Sequence, residues 1–384
     1  MVFDIVIAGA GPAGSHLACL LARDGWRVAL FDRDRFPRDK PCGGGLSRKT
    51  VALLDCDLAP VTQAAIRGAL LTYQNQGIVA RQIDECAGVT VLRSEFDDLL
   101  VKRAQDAGAT FFPETAYVSS QCKNGRVSVE TSRQTLRGRY LIAGDGVASR
   151  VRRSVFGRDV VSYAPALEAL VPATNDQLSL FGGRVLFDFG GVPHGYGWIF
   201  PKKDHFNAGV YSIFGGNQMR AHLERFMARY SLLSARPKKC VGHAIPLRNE
   251  KKLFEKDATW LIGDAAGFAE SVYGEGIYFA LRSAIIAARA FREGHGEPEA
   301  GQYTNLLRKH LLPELCYSEL IARPFYSFSH FGFFRMVRSV HVNRYFAGLV
   351  LGTVGYKECF YKVSASLPYW LFSRRYAYTP GLQL

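Results

Sequence analysis

Cys42 stands in the run Pro41-Cys42-Gly43-Gly44-Gly45-Leu46-Ser47. A thiol can hold or donate a proton, and three successive glycines let the main chain press against a flat ligand that side chains would keep away. Loops also gather glycine for turn geometry alone, so the residues upstream decide what the run is for. Gly9-Ala10-Gly11-Pro12-Ala13-Gly14 follows the apolar run Phe3 to Ala8 and precedes a helical pattern from His16 to Arg23. In that order Gly9 permits a tight turn, Gly11 leaves room for a pyrophosphate, Gly14 lets the helix pack closely, and the free N–H groups at the helix start face the anion. The run Arg27 to Asp32 then ends in an acid about twenty residues after the glycines, where a carboxylate accepts both hydrogen bonds of a ribose diol. Gly9, Gly11, Pro12, Ala13, Gly14, Asp32 and the adjacent Arg33 are therefore the expected nucleotide contacts.

A second glycine motif lies far downstream. Thr259 to Ile262 reads as a buried strand leading into Gly263-Asp264, and a long apolar helix from Gly276 to Phe291 follows Gly274-Glu275-Gly276-Ile277. A nicotinamide dinucleotide needs only the first motif. An FAD lies extended and requires a second strand end for its ribityl chain and ring, and a helix N-terminus at Gly276 favours the negative charge a reduced flavin carries. The expected cofactor is FAD. Gly263, Asp264, Gly274, Gly276 and Ile277 join the expected contacts, together with Cys42, Gly43, Gly44 and Gly45 from the thiol run.

The chain of 384 residues, 48% hydrophobic and 21% charged, has an ordinary globular composition. Its longest uncharged stretch, Ile5 to Ala22, is broken by the glycines and Pro12, so no spanning helix and no signal peptide are expected. The 8 cysteines include no CxxC pair, which argues for reduced thiols in a cytoplasmic protein and against a metal site. A formal charge of +14 calls for an acidic partner. Part of it is concentrated at the end, where Arg323, Arg335, Arg338, Arg344, Lys357, Lys362, Arg374 and Arg375 are interleaved with aromatics including Phe328, Phe331, Phe333, Tyr361, Tyr369, Trp370 and Phe372. That mixture suits either packing on the body of the protein or peripheral contact with a membrane surface. With no nucleic-acid fold signature beside it, nucleic-acid binding is not expected.

Strand and helix signals alternate in the N-terminal part, predicting an α/β fold: a doubly wound parallel-sheet FAD-binding domain, discontinuous in sequence. Ser94-Glu95-Phe96-Asp97 reads as a capping-box start to a helix running to Ala107. Lys123-Asn124-Gly125 between Thr115–Cys122 and Arg126–Thr131 predicts a hairpin. Tyr140 to Ala143 is another buried strand, ending near Asp145. Alternating segments such as Arg184–Phe189 and Ala208–Phe214 predict an antiparallel-sheet substrate domain. The expected division is 1–65, 90–160 and 255–297 for the FAD-binding domain, 66–89 and 161–254 for the substrate-binding domain, and 298–384 for a helical, basic and aromatic C-terminal region.

These residues bring a resemblance into view. The glycine turn with Asp32, Phe36-Pro37-Arg38, Arg93, Asp145-Gly146 with Arg150, and Gly263-Asp264 resemble the flavoprotein group containing p-hydroxybenzoate hydroxylase. Within that group, the Cys42 run and Pro193-His194-Gly195-Tyr196-Gly197-Trp198-Ile199-Phe200-Pro201-Lys202 resemble the geranylgeranyl reductase family and its PxxYxWxFPK element. The resemblance implies that Arg93 and Asp145 serve the cofactor, and that Tyr196, Trp198 and Phe200 line an apolar substrate cavity. It implies reduction of carbon–carbon double bonds in an isoprenoid chain, with hydride from reduced flavin N5 and a proton donor, for which Cys42 is the candidate and Ser47 and Tyr196 the alternatives. Electrons would come from NAD(P)H or an acidic ferredoxin-like protein. The family's usual Asp-Pro pair before the Gly-Glu-Gly turn is replaced here by Glu270-Ser271-Val272-Tyr273. The rival readings on the same scaffold are a monooxygenase or halogenase and, third, an electron-transfer flavoprotein without its own substrate.

Overall fold

The computed structural model describes residues 2–83, 85–157, 161–216, 218–232, 237, 239–327 and 330–372, with side chains as far as 365. Phe328, Arg374 and Arg375, and the side chains of Tyr369, Trp370 and Phe372, lie outside the described residues. The chain divides into two compact units: Met1–Lys40, Arg93–Tyr163 and Ile245–Leu315 form one, and Pro41–Leu92, Ala164–Ala244 and Cys316–Leu384 the other. Residues 41–65 thus group with the second unit, and residues 298–315 with the first.

The first unit is built on a six-stranded sheet in the order Glu255–Lys256, Thr259–Leu261, Tyr140–Ala143, Ile5–Ala8, Val28–Phe31, Thr110–Phe112. All pairings are parallel except that of the edge strand Glu255–Lys256. Ile-Val-Ile-Ala and Val-Ala-Leu-Phe are buried at every position, as continuous apolar runs require when both faces of a parallel sheet are covered. The helices Pro12–Arg23, Arg93–Asp106 and Ile277–Glu293 provide cover, the first packing against both of the others. The predicted hairpin forms between Tyr117–Lys123 and Arg126–Thr131, with Asn124 and Gly125 both at positive φ, the conformation a two-residue turn between twisted strands demands. A third strand, Thr135–Gly138, completes that layer.

The second unit centres on a seven-stranded, mostly antiparallel sheet in the order Lys239–Asn249, Val161–Pro172, His205–Ser212, Gly195–Pro201, Arg184–Phe189, Gly68–Tyr73, Gln76–Gln82. One face carries Leu70, Leu186, Ile199, Phe206, Ala208 and Val210, packed with Leu223, Phe226 and Met227 of the helix Met219–Arg229. Strand periodicity sends the alternate residues to the opposite face. There the register aligns Glu168, Gly209, Trp198, Phe187 and Leu71 in one cross-strand row. Ala166, Tyr211, Tyr196, Phe189 and Tyr73 form a second row. The helices Leu312–Phe325, His330–Arg338, Val340–Leu351 and Tyr356–Phe372 follow. Phe325 and Phe333 contribute rings 5.2 and 4.9 Å from Phe189, so these two aromatics of the tail pack on the sheet. Phe331 and Tyr361 remain exposed. Among the described residues no helix is long and apolar enough to cross a membrane.

A buried acid lies on the helix-covered face. Burial pushes the Asp188 carboxyl up to about 7 against the opposing pull of Arg229, whose Nη2 is 3.3 Å away, and of the Asn75 N–H. Because the folded-state pKa lies above the unfolded one, the stability this group contributes is complete below about pH 4 and is lost as pH rises through about 7. The stability of the native chain relative to Asp188→Asn is expected to fall between pH 5 and 7 by up to about 1.4 kcal/mol per pH unit, and then to level off. Thermal or urea unfolding of both proteins across pH 5–8 checks this, and a pH-independent difference would refute it.

Candidate active site

The first unit holds the nucleotide cradle. Gly9 sits at φ +95°, and a Cβ there would lie 2.4 Å from the Gly144 carbonyl oxygen. The Ala10 N–H donates to Asp32 Oδ2 at 2.7 Å, and Asp34 N–H donates to Asp32 Oδ1 at 2.9 Å, so the acid ties the end of its strand to the glycine turn. Burial raises the Asp32 pKa, with these two N–H bonds opposing it. Gly11 is the N-cap of the helix Pro12–Arg23, which has Pro at its start, no acid in its first turn and no side-chain cap. Among the described residues, a Cβ at Gly11 would have only Arg38 Nη2 within 4 Å, at 3.8 Å. A cradle with free N–H groups and open space before Gly11 fits a pyrophosphate.

The second motif closes on the first. Gly263 (φ +55°) packs so tightly that its Cβ would come within 2.9 Å of the Ala13 Cβ. It opens the turn Gly263–Ala266. Asp264 Oδ2 receives Lys40 Nζ at 3.2 Å, and Oδ1 lies 3.4 Å from where a Gly276 Cβ would be. Gly276 caps the helix Ile277–Glu293, again without side-chain cap or first-turn acid. Gly274 takes φ +67°. In place of the family's Asp-Pro, the buried Glu270 carboxylate accepts the N–H groups of Val272, Tyr273 and Glu275 at 2.6, 2.7 and 2.9 Å. The departure in sequence thus brings its own bracket for the turn.

Other expected residues make bonds within the protein. The helix begins at Arg93, which places Ser94 inside it. Asp97, read as part of a capping box, instead takes a bidentate bond from Arg93 at 2.8 and 2.7 Å and an ion pair from Arg38 at 3.0 Å. The Asp145 carboxylate accepts Ser149 Oγ and the N–H groups of Arg150 and Val151, closing the start of the helix Arg150–Phe156. Arg33 is largely exposed, 3.8 Å from Asp34.

The thiol run lies in the second unit, and there the glycines have a reason the sequence did not disclose. A Cβ at Gly43 or Gly45 would meet the Phe200 ring at 3.1 or 3.0 Å, and one at Gly44 (φ +62°) would lie 2.2 Å from the Val91 carbonyl oxygen. Their bareness serves packing against the protein's own strand. Gly44 N–H donates to Cys42 Sγ at 3.4 Å. Cys42 N–H donates to Glu168 Oε1 at 3.1 Å. The Trp198 ring lies across Gly209, where a Cβ would come within 2.1 Å of it, and its Nε1–H donates to Asn207 Oδ1 at 2.8 Å. Asn207 Nδ2 donates to Glu168 Oε2 at 3.2 Å and to the Cys42 carbonyl at 3.4 Å. Lys202 Nζ donates to the Gly43 and Val91 carbonyls at 2.8 and 2.9 Å. Burial lowers the Lys202 pKa to about 8, with Cys42 and Glu168 opposing, and burial raises that of Glu168. Sequence reasoning missed Glu168 and Asn207 as site residues. Tyr196 and Trp198 are almost fully buried, with rings 6.1 Å apart, and Tyr196 stacks on Tyr326 at 6.4 Å.

The FAD binding domain family matches residues 2–161. An uncharacterised protein of Methanosarcina barkeri is 35% identical over 291 residues, 74% of this chain and 73% of that protein. A menaquinone reductase of Mycobacterium tuberculosis is 30% identical over 313 residues, 74% of this chain and 75% of its own. The chloroplastic geranylgeranyl diphosphate reductase of Arabidopsis thaliana is 25% identical over 350 residues, 84% of this chain and 74% of its own. In fold, a geranylgeranyl bacteriochlorophyll reductase-like protein of Thermoplasma acidophilum matches 96% of this chain and 98% of its own with a TM-score of 0.80 at 20% identity. A halogenase in complex with FAD matches 95% of this chain and 84% of its own with a TM-score of 0.75 at 14% identity.

Fold and cradle together define a flavin-dependent oxidoreductase scaffold whose cofactor is FAD. The chain belongs to the FAD-binding family that includes the geranylgeranyl and menaquinone reductases.

Proposed function

We propose that this protein hydrogenates carbon–carbon double bonds in the isoprenoid chain of an apolar substrate. The observation that carries the reading is the aromatic face of the second unit, where Trp198, Phe187, Tyr196 and Phe189 stand in adjacent cross-strand rows and the Phe200 ring packs on the Cys42 run. Aromatic faces suit polyprenyl chains. The names of the relatives support the same class, since geranylgeranyl is an isoprenoid and menaquinones carry an isoprenoid side chain. When bound, reduced FAD supplies the hydride that one alkene carbon accepts.

The chain's own residues have two tasks. Tyr196, Trp198 and Phe200 hold the alkene and exclude water. Cys42 gives its proton to the second carbon, because an isolated alkene has no carbonyl to take up the charge that hydride transfer would leave. Asp32 and the two helix starts at Gly11 and Gly276 would hold the cofactor. The electron donor is a nicotinamide nucleotide or an acidic ferredoxin-like protein, both of them anionic and so both compatible with the charge of +14. The likeness to halogenases lies in the fold alone, at 14% identity.

Incubating the FAD-loaded protein with dithionite and either geranylgeranyl diphosphate or a menaquinol, whose ring is already reduced, tests the proposal. The expected product is heavier by two hydrogens for each bond reduced, read by mass spectrometry. Recovery of both substrates unchanged would overturn it.

A further inference from the structure

The hydrogen bonds around the Cys42 run have a direction. Trp198 Nε1–H donates to Asn207 Oδ1, Asn207 Nδ2 donates to Glu168 Oε2, and the other carboxylate oxygen receives the Cys42 N–H. Indole N–H can only donate, so the Asn207 amide has one fitting orientation, with its NH2 toward Glu168. Glu168 must then accept on both oxygens, which an ionised carboxylate does and a neutral amide does not. The register explains why the three side chains meet. Glu168, Gly209 and Trp198 share one row, and Asn207 is the next residue on that face beside Gly209. Because Gly209 has no side chain, the indole can lie across it. On the other side of the run, Lys202 Nζ fastens the Gly43 carbonyl to that of Val91.

We propose that Glu168 and Asn207 are positioning residues: they hold the Cys42 run by its backbone and set the place of the thiol relative to the aromatic substrate face. Burying a carboxylate is costly unless it is paired and hydrogen-bonded. Burial raises the Glu168 pKa, so keeping it charged at neutral pH opposes folding. The residue is therefore explained by what it holds rather than by the stability it adds. The role of the thiol in reduction rests on the function proposed above, whereas the bracket itself does not.

The test is the rate at which each cysteine of the full chain is alkylated by iodoacetamide without substrate, resolved by peptide mass. The native protein is compared with Glu168→Gln and Asn207→Ser. Glutamine presents its amide NH2, itself a donor, to one of the two donors, and serine is too short to span from Trp198 to Glu168. In both variants Cys42 is expected to react about fivefold faster or more, the factor that one lost hydrogen bond supports. Cys56 and Cys86, in the same unit, are expected to keep their native rates, and Glu168→Asp is expected to restore part of the native Cys42 rate. An unchanged Cys42 rate would overturn the proposal. So would a general acceleration of all three cysteines, or failure of both variants to fold, because the network would then be a folding element. Alkylation rates can be measured in a protein that hydrogenates no alkene, so failure of the bracket and failure of the proposed reaction are told apart.

Discussion

Gly14→Ala is expected to weaken FAD binding at least about 100-fold, the equivalent of roughly 2.7 kcal/mol. An ideal Cβ at position 14 would lie 1.9 Å from the Gly9 carbonyl oxygen, 3.1 Å from its carbonyl carbon and 3.3 Å from Ile7 Cγ2. The atom in the way is backbone and cannot swing aside as a side chain would. Gly9 cannot retreat either, because its own Cβ direction is filled by Gly144 and Asp145 main chain. The helix start must therefore move away from the turn, and the N–H groups that face the pyrophosphate move with it. Overpacking typically costs about 1–3 kcal/mol, and here the geometry directs that cost at the ligand. Flavin fluorescence titration of the refolded variant measures it. Affinity within about threefold of native, on the order of 0.7 kcal/mol, would refute the cradle assigned here.

Cys42→Ser is expected to lower the turnover number about 100-fold while FAD stays bound, the lower end of what a positioned proton donor contributes. Serine is slightly smaller but keeps the shape, and its hydroxyl can still accept the Gly44 N–H that reaches Cys42 Sγ. The backbone bonds from the Cys42 N–H to Glu168 and from Asn207 to the Cys42 carbonyl do not involve the side chain at all. What changes is acidity, since a hydroxyl gives up its proton far less readily than a thiol. Steady-state assay with an isoprenoid substrate, alongside the visible absorption of bound flavin, separates the two effects. A native rate in the serine variant would remove the thiol from the reaction.

What could be read in advance follows the range of the interactions. The turn Gly9 to Gly14, its flanking strands and Asp32 were legible because strand, turn and helix are consecutive and each residue type has one physical reason to be there. The Asn124-Gly125 hairpin was legible for the same reason. The Cys42 run was found by residue type, yet the reason its glycines are bare lies in Phe200 and Val91, distant in sequence. Asp97 looked like a cap because Ser94 precedes it, and it went instead to Arg93 and to Arg38, which no local pattern couples to it. Asp145 could be picked out as a polar residue just past a strand end, whereas the bonds of its carboxylate to the start of the helix at Arg150 could not. Glu168 and Asn207 were invisible because their meeting depends on the register of Val161–Pro172 against His205–Ser212, which periodicity within either strand does not specify. Glu168 sits in an apolar stretch, Ala166-Leu167-Glu168-Ala169-Leu170, and that isolation was the one signal available.

The proposed reaction requires that an alkene, and not oxygen, take the electrons of the reduced flavin. An anaerobic experiment isolates that step: reduce the bound FAD, add a geranylgeranyl substrate with oxygen rigorously excluded, and follow the return of the visible absorption of the oxidised flavin. Reoxidation is expected in step with saturation of the isoprenoid chain. A flavin that stays reduced until air is admitted, with the chain unsaturated throughout, would rule the alkene out as acceptor.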